Sequence, residues 1–368
     1  MDERECTIAL NMVSTIGGAR LASLIQCFGS AREALLARED ALLRVEGIGP
    51  VTVQRIAEVR DGRLLRDELQ RADGLGVNIV TTSDPGYPER LLNIDHPPPV
   101  LYVKGEILPR DGLAIAVVGA RRATRYGREV ARLVAGEAAG AGFTIVSGMA
   151  RGVDSAAHRG ALDTGGRTIA VLGCGVDVVY PPENEKLAEE IAGNGALVSE
   201  RCLGTRPYGQ NFPARNRIIS GLSLGVVVVE ARETSGALIT AKFALEQGRD
   251  VFAVPGDIRS PLSRGTHQLI RDGARLVEGI GDILEELGME NVAAPETHGT
   301  REESSLRLSA RERRVLAALD FSPASADDIV DETGLGPRDV AVALAGLEVR
   351  GLVARALDGY VRRAKEGG

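Results

Sequence analysis

The residues best equipped for chemistry are arginines set just past apolar, strand-length runs. Gly119-Ala120-Arg121-Arg122-Ala123-Thr124-Arg125-Tyr126-Gly127 follows the run Ala114–Val118 and opens a helical stretch that also carries Arg128. Cationic side chains at the positive end of a helix repel one another unless an anion lies between them. A glycine turn holding four arginines therefore reads as a phosphate cradle; the plain alternative is a solvated basic turn. The turn lacks Gly-x-Gly-x-x-Gly spacing, and Gly-Lys-Ser/Thr occurs nowhere in the chain. These facts argue against a dinucleotide site and a P-loop.

The same post-strand position recurs. Ser147-Gly148-Met149-Ala150-Arg151-Gly152-Val153-Asp154 offers two glycines for close backbone approach, a hydroxyl and a guanidinium. Asp154 is placed to cap the next helix, and His158 on that helix reads as structural, since no serine or cysteine partner with an orienting acid accompanies it. Lys186 opens a helix after Gly173-Cys174-Gly175 and Tyr180-Pro181, and Lys242 lies on the helix after Glu230–Thr240. Glu230, a lone strand-end carboxylate, is expected to hold an arginine, with Arg217 the candidate. Residues 206–221 carry Arg206, Arg215 and Arg217, Tyr208 and Phe212, Asn216 and no acid. Aromatics among arginines suit single-stranded nucleic acid, where bases stack at ~1–3 kcal/mol each. The competing reading is an ordered loop whose Arg215 and Arg217 pair with Glu200 or Glu230. Leu269 and Ile270 read either as core or as an apolar pair at a subunit interface. The four cysteines and four histidines lack metal-ligand spacing, so no metal site is expected.

These residues need a scaffold, and the pattern supplies one. Apolar runs at Ala114–Val118, Thr144–Val146, Thr168–Leu172, Ala196–Ser199, Gly225–Val229 and Val251–Val254 alternate with helical stretches near 127–140, 155–164, 184–193 and 237–247. Wholly apolar strands separated by amphipathic helices predict a parallel sheet covered on both faces, a doubly wound, Rossmann-like α/β domain over 73–288. Strands at Val77–Val80 and Val100–Val103 extend it. Residues 1–72 predict short helices around Gly17-Gly18 and Gly47-Ile48-Gly49, a doubled helix–hairpin–helix (SAM-like) domain. Either turn could offer backbone N–H groups to a phosphate. The acidic stretch 289–306 predicts a linker. Residues 307–368 predict a winged helix: three helices carrying Val315, Leu316 and Leu319, then Ile329 and Val330 behind a Ser325 cap, then Val340, Leu344 and Leu347, followed by a hairpin around Asp358-Gly359.

The 368 residues carry a formal charge of −7, which argues against a general polyanion binder. The charge is uneven. Residues 118–217 hold 13 basic and 10 acidic residues, a net +3, while no other segment is net positive. Only four of the 44 basic residues are lysines. That is either coding bias or a demand for guanidinium forks, which grip phosphate in bidentate fashion. No run approaches the ~20 apolar residues of a membrane span. The charged N-terminus lacks a signal-peptide stretch. A cytoplasmic protein with no membrane partner is expected.

The motifs together resemble the DNA-processing protein A (DprA/Smf) family. The resemblance rests on Val118-Gly119-Ala120-Arg121, Ser147–Asp154, Ala157-His158, Tyr180-Pro181, Phe212–Leu222, Ser235-Gly236 and Val254-Pro255-Gly256. It covers about 85 to 278. It implies a non-enzymatic protein, with no cofactor, that binds single-stranded DNA, shields it from nucleases and helps load the RecA recombinase onto it during natural transformation. It also implies a homodimer through the Rossmann domain near Leu269 and Ile270, and a DNA pocket using Arg121 with residues near Ser147, Arg151 and Lys186. Ala120 and Ala237 stand where the family commonly has serine, which removes two possible phosphate contacts. The expected DNA-binding set is Gly119, Arg121, Arg122, Arg125, Ser147, Gly148, Arg151, Lys186, Arg215, Asn216, Arg217 and Lys242. Two alternatives are a Rossmann-type nucleotide-phosphate hydrolase with Glu230 as base, and a double-stranded-DNA regulator acting through the winged helix.

Overall fold

The structure, a computed structural model, describes residues 1–290, 308–319, 324–356 and 359–362. It divides into two compact units, Met1–Ala294 and Pro295–Gly368. From residue 291 the expected linker lies outside the described residues, as does Asp358 of the expected turn.

The first unit opens with six helices: α1 (Glu3–Met12), α2 (Gly18–Phe28), α3 (Ala31–Leu36), α4 (Glu39–Leu42), α5 (Pro50–Val59) and α6 (Arg63–Gly74). Asp2 starts α1 with a reciprocal cap: its side chain accepts from the Glu5 N–H, and the Glu5 carboxylate accepts from the Asp2 N–H. The two glycine turns lead into α2 and α5, as expected, but they are unequal. A Cβ at Gly18 would lie 2.8 Å from the Pro97 carbonyl oxygen, so chain 96–97 covers the start of α2. Nothing lies within 4 Å of such a Cβ at Gly49, and Pro50 occupies the first helical position of α5.

The sheet follows: β1 (Val77–Thr81), α7 (Glu89–Leu92), β2 (Val100–Gly105), β3 (Ala114–Val118), α8 (Arg125–Gly140), β4 (Thr144–Ser147), α9 (Val153–Asp163), β5 (Thr168–Val171), α10 (Glu185–Gly193), β6 (Gly195–Ser199), α11 (Asn211–Gly221), β7 (Gly225–Val228), α12 (Gly236–Glu246), β8 (Asp250–Ala253), α13 (Arg264–Arg271), β9 (Arg275–Leu276) and α14 (Ile280–Glu286). Nine strands run in the order β1-β2-β6-β5-β4-β3-β7-β8-β9. From β6 to β9 every pairing is parallel, while β2 joins β6 and β1 antiparallel. The chain winds from β3 outward to β6, then returns to lay β7 on the other side of β3. The switch point, where doubly wound sheets bind ligands, therefore lies beside β3.

The strands are apolar throughout because both faces are covered. In β3, Ala114, Ala116 and Val118 enter one core, with Ile218 and Ile219 of α11 and Ala241 and Ala244 of α12. Ile115 and Val117 enter the other, with Val134 of α8, Ala157 of α9 and Ile283 of α14. A third core joins Leu21, Leu24, Ile56 and Leu65 of the helical region to Tyr102 of β2 and Leu172 beyond β5. At about 1.5–3 kcal/mol per buried large side chain, this shared core anchors the helices onto the sheet.

The second unit holds α15 (Ala310–Ala317), α16 (Ala326–Thr333) and α17 (Pro337–Val349), then the antiparallel pair β10 (Val353–Ala356) and β11 (Gly359–Arg362). Ser325 caps α16 as expected, accepting from the Asp328 N–H. Ala324 adds a bridge to Tyr360, giving the hairpin a third partner. Val315, Leu316, Leu319, Ile329, Val340, Leu344 and Leu347 form one core, the winged-helix arrangement read from the sequence.

Candidate nucleic-acid interface

A cleft of about 370 Å³ opens at the carboxyl ends of β3, β4 and β7. Its walls come from the turn after β3, the loop after β4, one face of α11, and the loop leading from β7 into α12. It sits at the switch point of the sheet.

The turn after β3 is held from behind. Thr124 caps α8 by accepting from the Gly127 N–H at 3.0 Å. Glu230, at the end of β7, accepts from the Thr124 N–H at 2.9 Å and from its hydroxyl at 2.5 Å. Gly127 leaves room for this carboxylate, because a Cβ there would collide with it. Glu230 therefore does not hold Arg217 as expected, nor does it stand free as a base. Tyr126 donates to the Pro255 carbonyl at 2.9 Å and ties the same turn to the loop after β8.

So fixed, the turn presents Gly119, Arg121 and Arg122 to the cleft. The Arg121 guanidinium lies 5.4 Å from the centre of the Phe212 ring, a cation–π contact, and Phe212 in turn lies 5.4 Å from Tyr180. Arg232, beyond β7, faces the same space, as does Asn216, which donates to the Gly236 carbonyl at 3.2 Å. Among the described residues, Arg121, Arg122 and Arg232 have no carboxylate partner. The sequence reading omits Arg232 from the DNA-binding set, although the rule that finds Arg121 applies to it, since it lies two residues past Glu230 at a strand end.

The remaining expected residues are placed otherwise. Ser147 is fully buried and donates to the Val117 carbonyl at 2.7 Å, which locks β4 to β3 and keeps its hydroxyl from the cleft. Arg125 pairs with Glu129 at 2.7 Å and Arg151 with Glu183, both at the surface. Lys186 is exposed on α10, and Lys242 faces out on α12, 3.7 Å from Glu246. Residues 211–221 form a helix rather than a loop or an exposed basic strip. That helix buries Arg215 and pairs Arg217 with Glu200 at 2.6 Å.

Arg215 is the least expected. It is 4% exposed, donates to the Val171 carbonyl at the end of β5, and leaves its Nε without a partner. A Cβ at Gly148 would lie 2.5 Å from its Nη1, so the loop after β4 crosses directly over the guanidinium. Burial lowers its pKa to about 10, which leaves it charged at neutral pH, with Asp154 favouring the charged form. Asp154 lies within the first turn of α9 rather than at its cap, which is Gly152, and accepts from the Ala150 N–H at 3.3 Å. Burial pushes its carboxyl up to about 6, against the pull of Arg215 and Arg121. His158, one turn on, is buried and bonded through Nδ1 to the Thr168 hydroxyl at 2.6 Å. Burial and then Arg215 lower its pKa to about 3, so it is neutral. Buried Cys174, pushed up to about 11 by burial, stays a thiol.

Leu269 and Ile270 are both half-buried on α13, and Leu269 rests on the core shared by α11 and α12. Among the described residues no cluster of His, Cys, Asp and Glu suits a metal ion, and no helix is long and apolar enough to cross a membrane.

A switch-point cleft lined by guanidiniums and one aromatic ring marks a Rossmann-type domain, here in a chain with a winged helix. Comparison with known proteins narrows this class. The family model of DNA recombination-mediator protein A matches residues 78–288, and that of the DprA winged helix domain matches 299–359. The chain is 36% identical to protein Smf of Synechocystis, over 96% of this chain and 97% of the relative. It is 45% identical to the DNA processing protein DprA of Bacillus subtilis, over 59% and 73%. The X-ray structure of DprA from Streptococcus pneumoniae superposes with a TM-score of 0.67 at 36% identity, covering 78% of this chain and 98% of that one. A Helicobacter pylori DNA processing protein A structure, described for its single-stranded DNA binding mode, gives a TM-score of 0.52 at 32% identity, covering 57% and 95%. This chain belongs to the DNA recombination-mediator protein A family.

Proposed function

We propose that this chain binds single-stranded DNA across the switch-point cleft, protects it, and helps load the RecA recombinase onto it, without catalysis of its own and without a cofactor. The observation that carries the reading is the set of unpaired guanidiniums, Arg121, Arg122 and Arg232, around the half-buried Phe212 ring. Guanidiniums track phosphates, and a ring face accepts any base. The Helicobacter pylori relative, described as a single-stranded DNA binder, supports the same reading. On this reading Gly119 and Asn216 line the path. Gly148, Ser147, Arg215 and Arg217 hold its walls. Arg125, Arg151, Lys186 and Lys242 act only as surface charge outside it.

The hydrolase alternative needs a carboxylate free to act as base, and Glu230 is committed to Thr124. The winged-helix alternative asks α17 to meet phosphates, yet Asp339 and Glu348 share that helix with Arg338, and Arg350 follows it. Competition between single- and double-stranded oligonucleotides for the full chain separates these readings. Preferential displacement by the single strand, with no nucleotide turnover, is expected; equal displacement by duplex contradicts it.

The protein is further proposed to form a homodimer through α13. Charge substitution at Ile270, which has the weaker hold on the core, is expected to halve the mass in sedimentation. An unchanged mass rejects this interface.

A further inference from the structure

Among the described residues, Asp154 is the single acidic residue lining the cleft, beside four arginines. A carboxylate at the floor of an anion site works against its ligand. It is also deeply placed: Asp154 is 7% exposed, and the buried Arg215 that accompanies it lacks a partner at Nε. The charged groups facing Asp154 are Arg215 from α11 and Arg121 from the turn after β3. It accepts from the Ala150 N–H and from the Gly148 N–H, both in the loop that crosses Arg215. A protonated carboxyl still offers its carbonyl oxygen to these backbone N–H groups. Protonation does remove the one negative charge beneath Arg121.

We propose that Asp154 is an affinity-setting residue of the cleft, holding its charge in check so that phosphate binding above it is coupled to uptake of one proton. This rests on the cleft being where DNA binds. The physical sequence is simple. A phosphate entering among Arg121, Arg122 and Arg232 brings negative charge toward Asp154. Two like charges in a poorly solvated site favour protonation of the more basic carboxyl. The bound state therefore holds more protons than the free state between about pH 5.5 and 7.5, a window that opens around the value near 6 that burial already gives Asp154. Affinity rises as pH falls through this window. The coupling is reciprocal, since whatever neutralises Asp154 tightens DNA binding by the same factor.

The test is binding of a fluorescent oligothymidylate to the full chain at constant ionic strength from pH 5.5 to 8.5. Wild type, Asp154→Asn and Arg121→Ala are compared. The Asp154→Asn substitution keeps an acceptor for the Ala150 N–H and deletes the charge. This variant is expected to bind about ten-fold tighter than wild type at pH 7.5, with a flattened pH profile. A residue with only a structural role gives weaker binding instead. Calorimetry of wild type in two buffers of different ionisation enthalpy reads proton uptake directly and needs no variant. Uptake near pH 6.5 supports the proposal, and none overturns it. If Arg121→Ala loses affinity while Asp154→Asn keeps the wild-type pH slope, this proposal alone fails. If Arg121→Ala binds like wild type, the cleft is not the DNA site and both fall.

Discussion

Two arginine-rich segments, alike as sequence, meet opposite fates. The turn after β3 sends Arg121 and Arg122 into the cleft with no carboxylate partner among the described residues. Helix α11 draws Arg215 into the interior and clasps Arg217 to Glu200. The difference is in what backs each segment. Behind the turn, Glu230 is taken up by Thr124 and pairs with neither Arg121 nor Arg122. Behind α11 lie the Val171 carbonyl, Asp154 and Glu200, which meet the helix's arginines one by one. An arginine is a candidate ligand group when the fold withholds its partner, and a structural tie when the fold supplies one.

Breaking the buried tie has the largest expected effect. Arg215→Ala leaves Asp154 uncompensated, opens a cavity and strips the Val171 carbonyl; a loss of about 3–5 kcal/mol in urea unfolding is expected. Gly148→Ala presses a methyl against the same guanidinium, and a loss of about 1–3 kcal/mol is expected in the same assay. A loss below about 0.5 kcal/mol in either variant would show that the guanidinium is not locked in place.

His158 sharpens the comparison through pH. Its pKa is about 3 in the fold against an ordinary 6.5, so the unfolded chain takes up a proton first as pH falls. The stability it contributes is complete above about pH 6.5 and drains away toward pH 3. His158→Gln is expected to lose less stability than wild type between pH 7 and pH 5; identical losses contradict the burial of a neutral ring.

The exposed side of the comparison costs stability little. Arg121→Ala is expected to change unfolding by less than about 0.5 kcal/mol. Lys242→Ala, outside the cleft, is expected to change single-strand affinity by less than about three-fold at 0.15 M salt, because surface charges beyond ~8 Å are screened there. A larger loss would move the DNA path onto α12.

Much of the fold is legible in the sequence because a covered parallel sheet writes itself as apolar runs. The run Ala114–Val118 coincides with β3, and β4 to β8 fall within a residue or so of their expected places. Helix α11 is not legible. Its segment carries Pro213 and charged residues with no strong apolar stripe, and burying Arg215 breaks the pattern by which helices are recognised. Strand β9 is two residues long and exposed, too little to mark a sequence. For the cleft, the rule of reading past strand ends finds Gly119, Arg121 and Arg122. It misjudges Ser147, whose hydroxyl is spent on Val117, because a hydroxyl's direction is set by the neighbouring strand. The glycine turns of residues 1–72 are also recognisable, yet only contact with chain 96–97 distinguishes the covered one from the open one.

The central claim is that the unpaired arginines of the turn after β3 meet phosphates. It is tested most directly by the salt dependence of single-stranded DNA binding for wild type and Arg121→Ala. Affinity should fall with the logarithm of salt by about 0.7 per contacted phosphate, and Arg121→Ala should weaken binding on all sequences alike and lower that slope by about 0.7. An unchanged slope and affinity in Arg121→Ala, with the fold intact, would contradict the account.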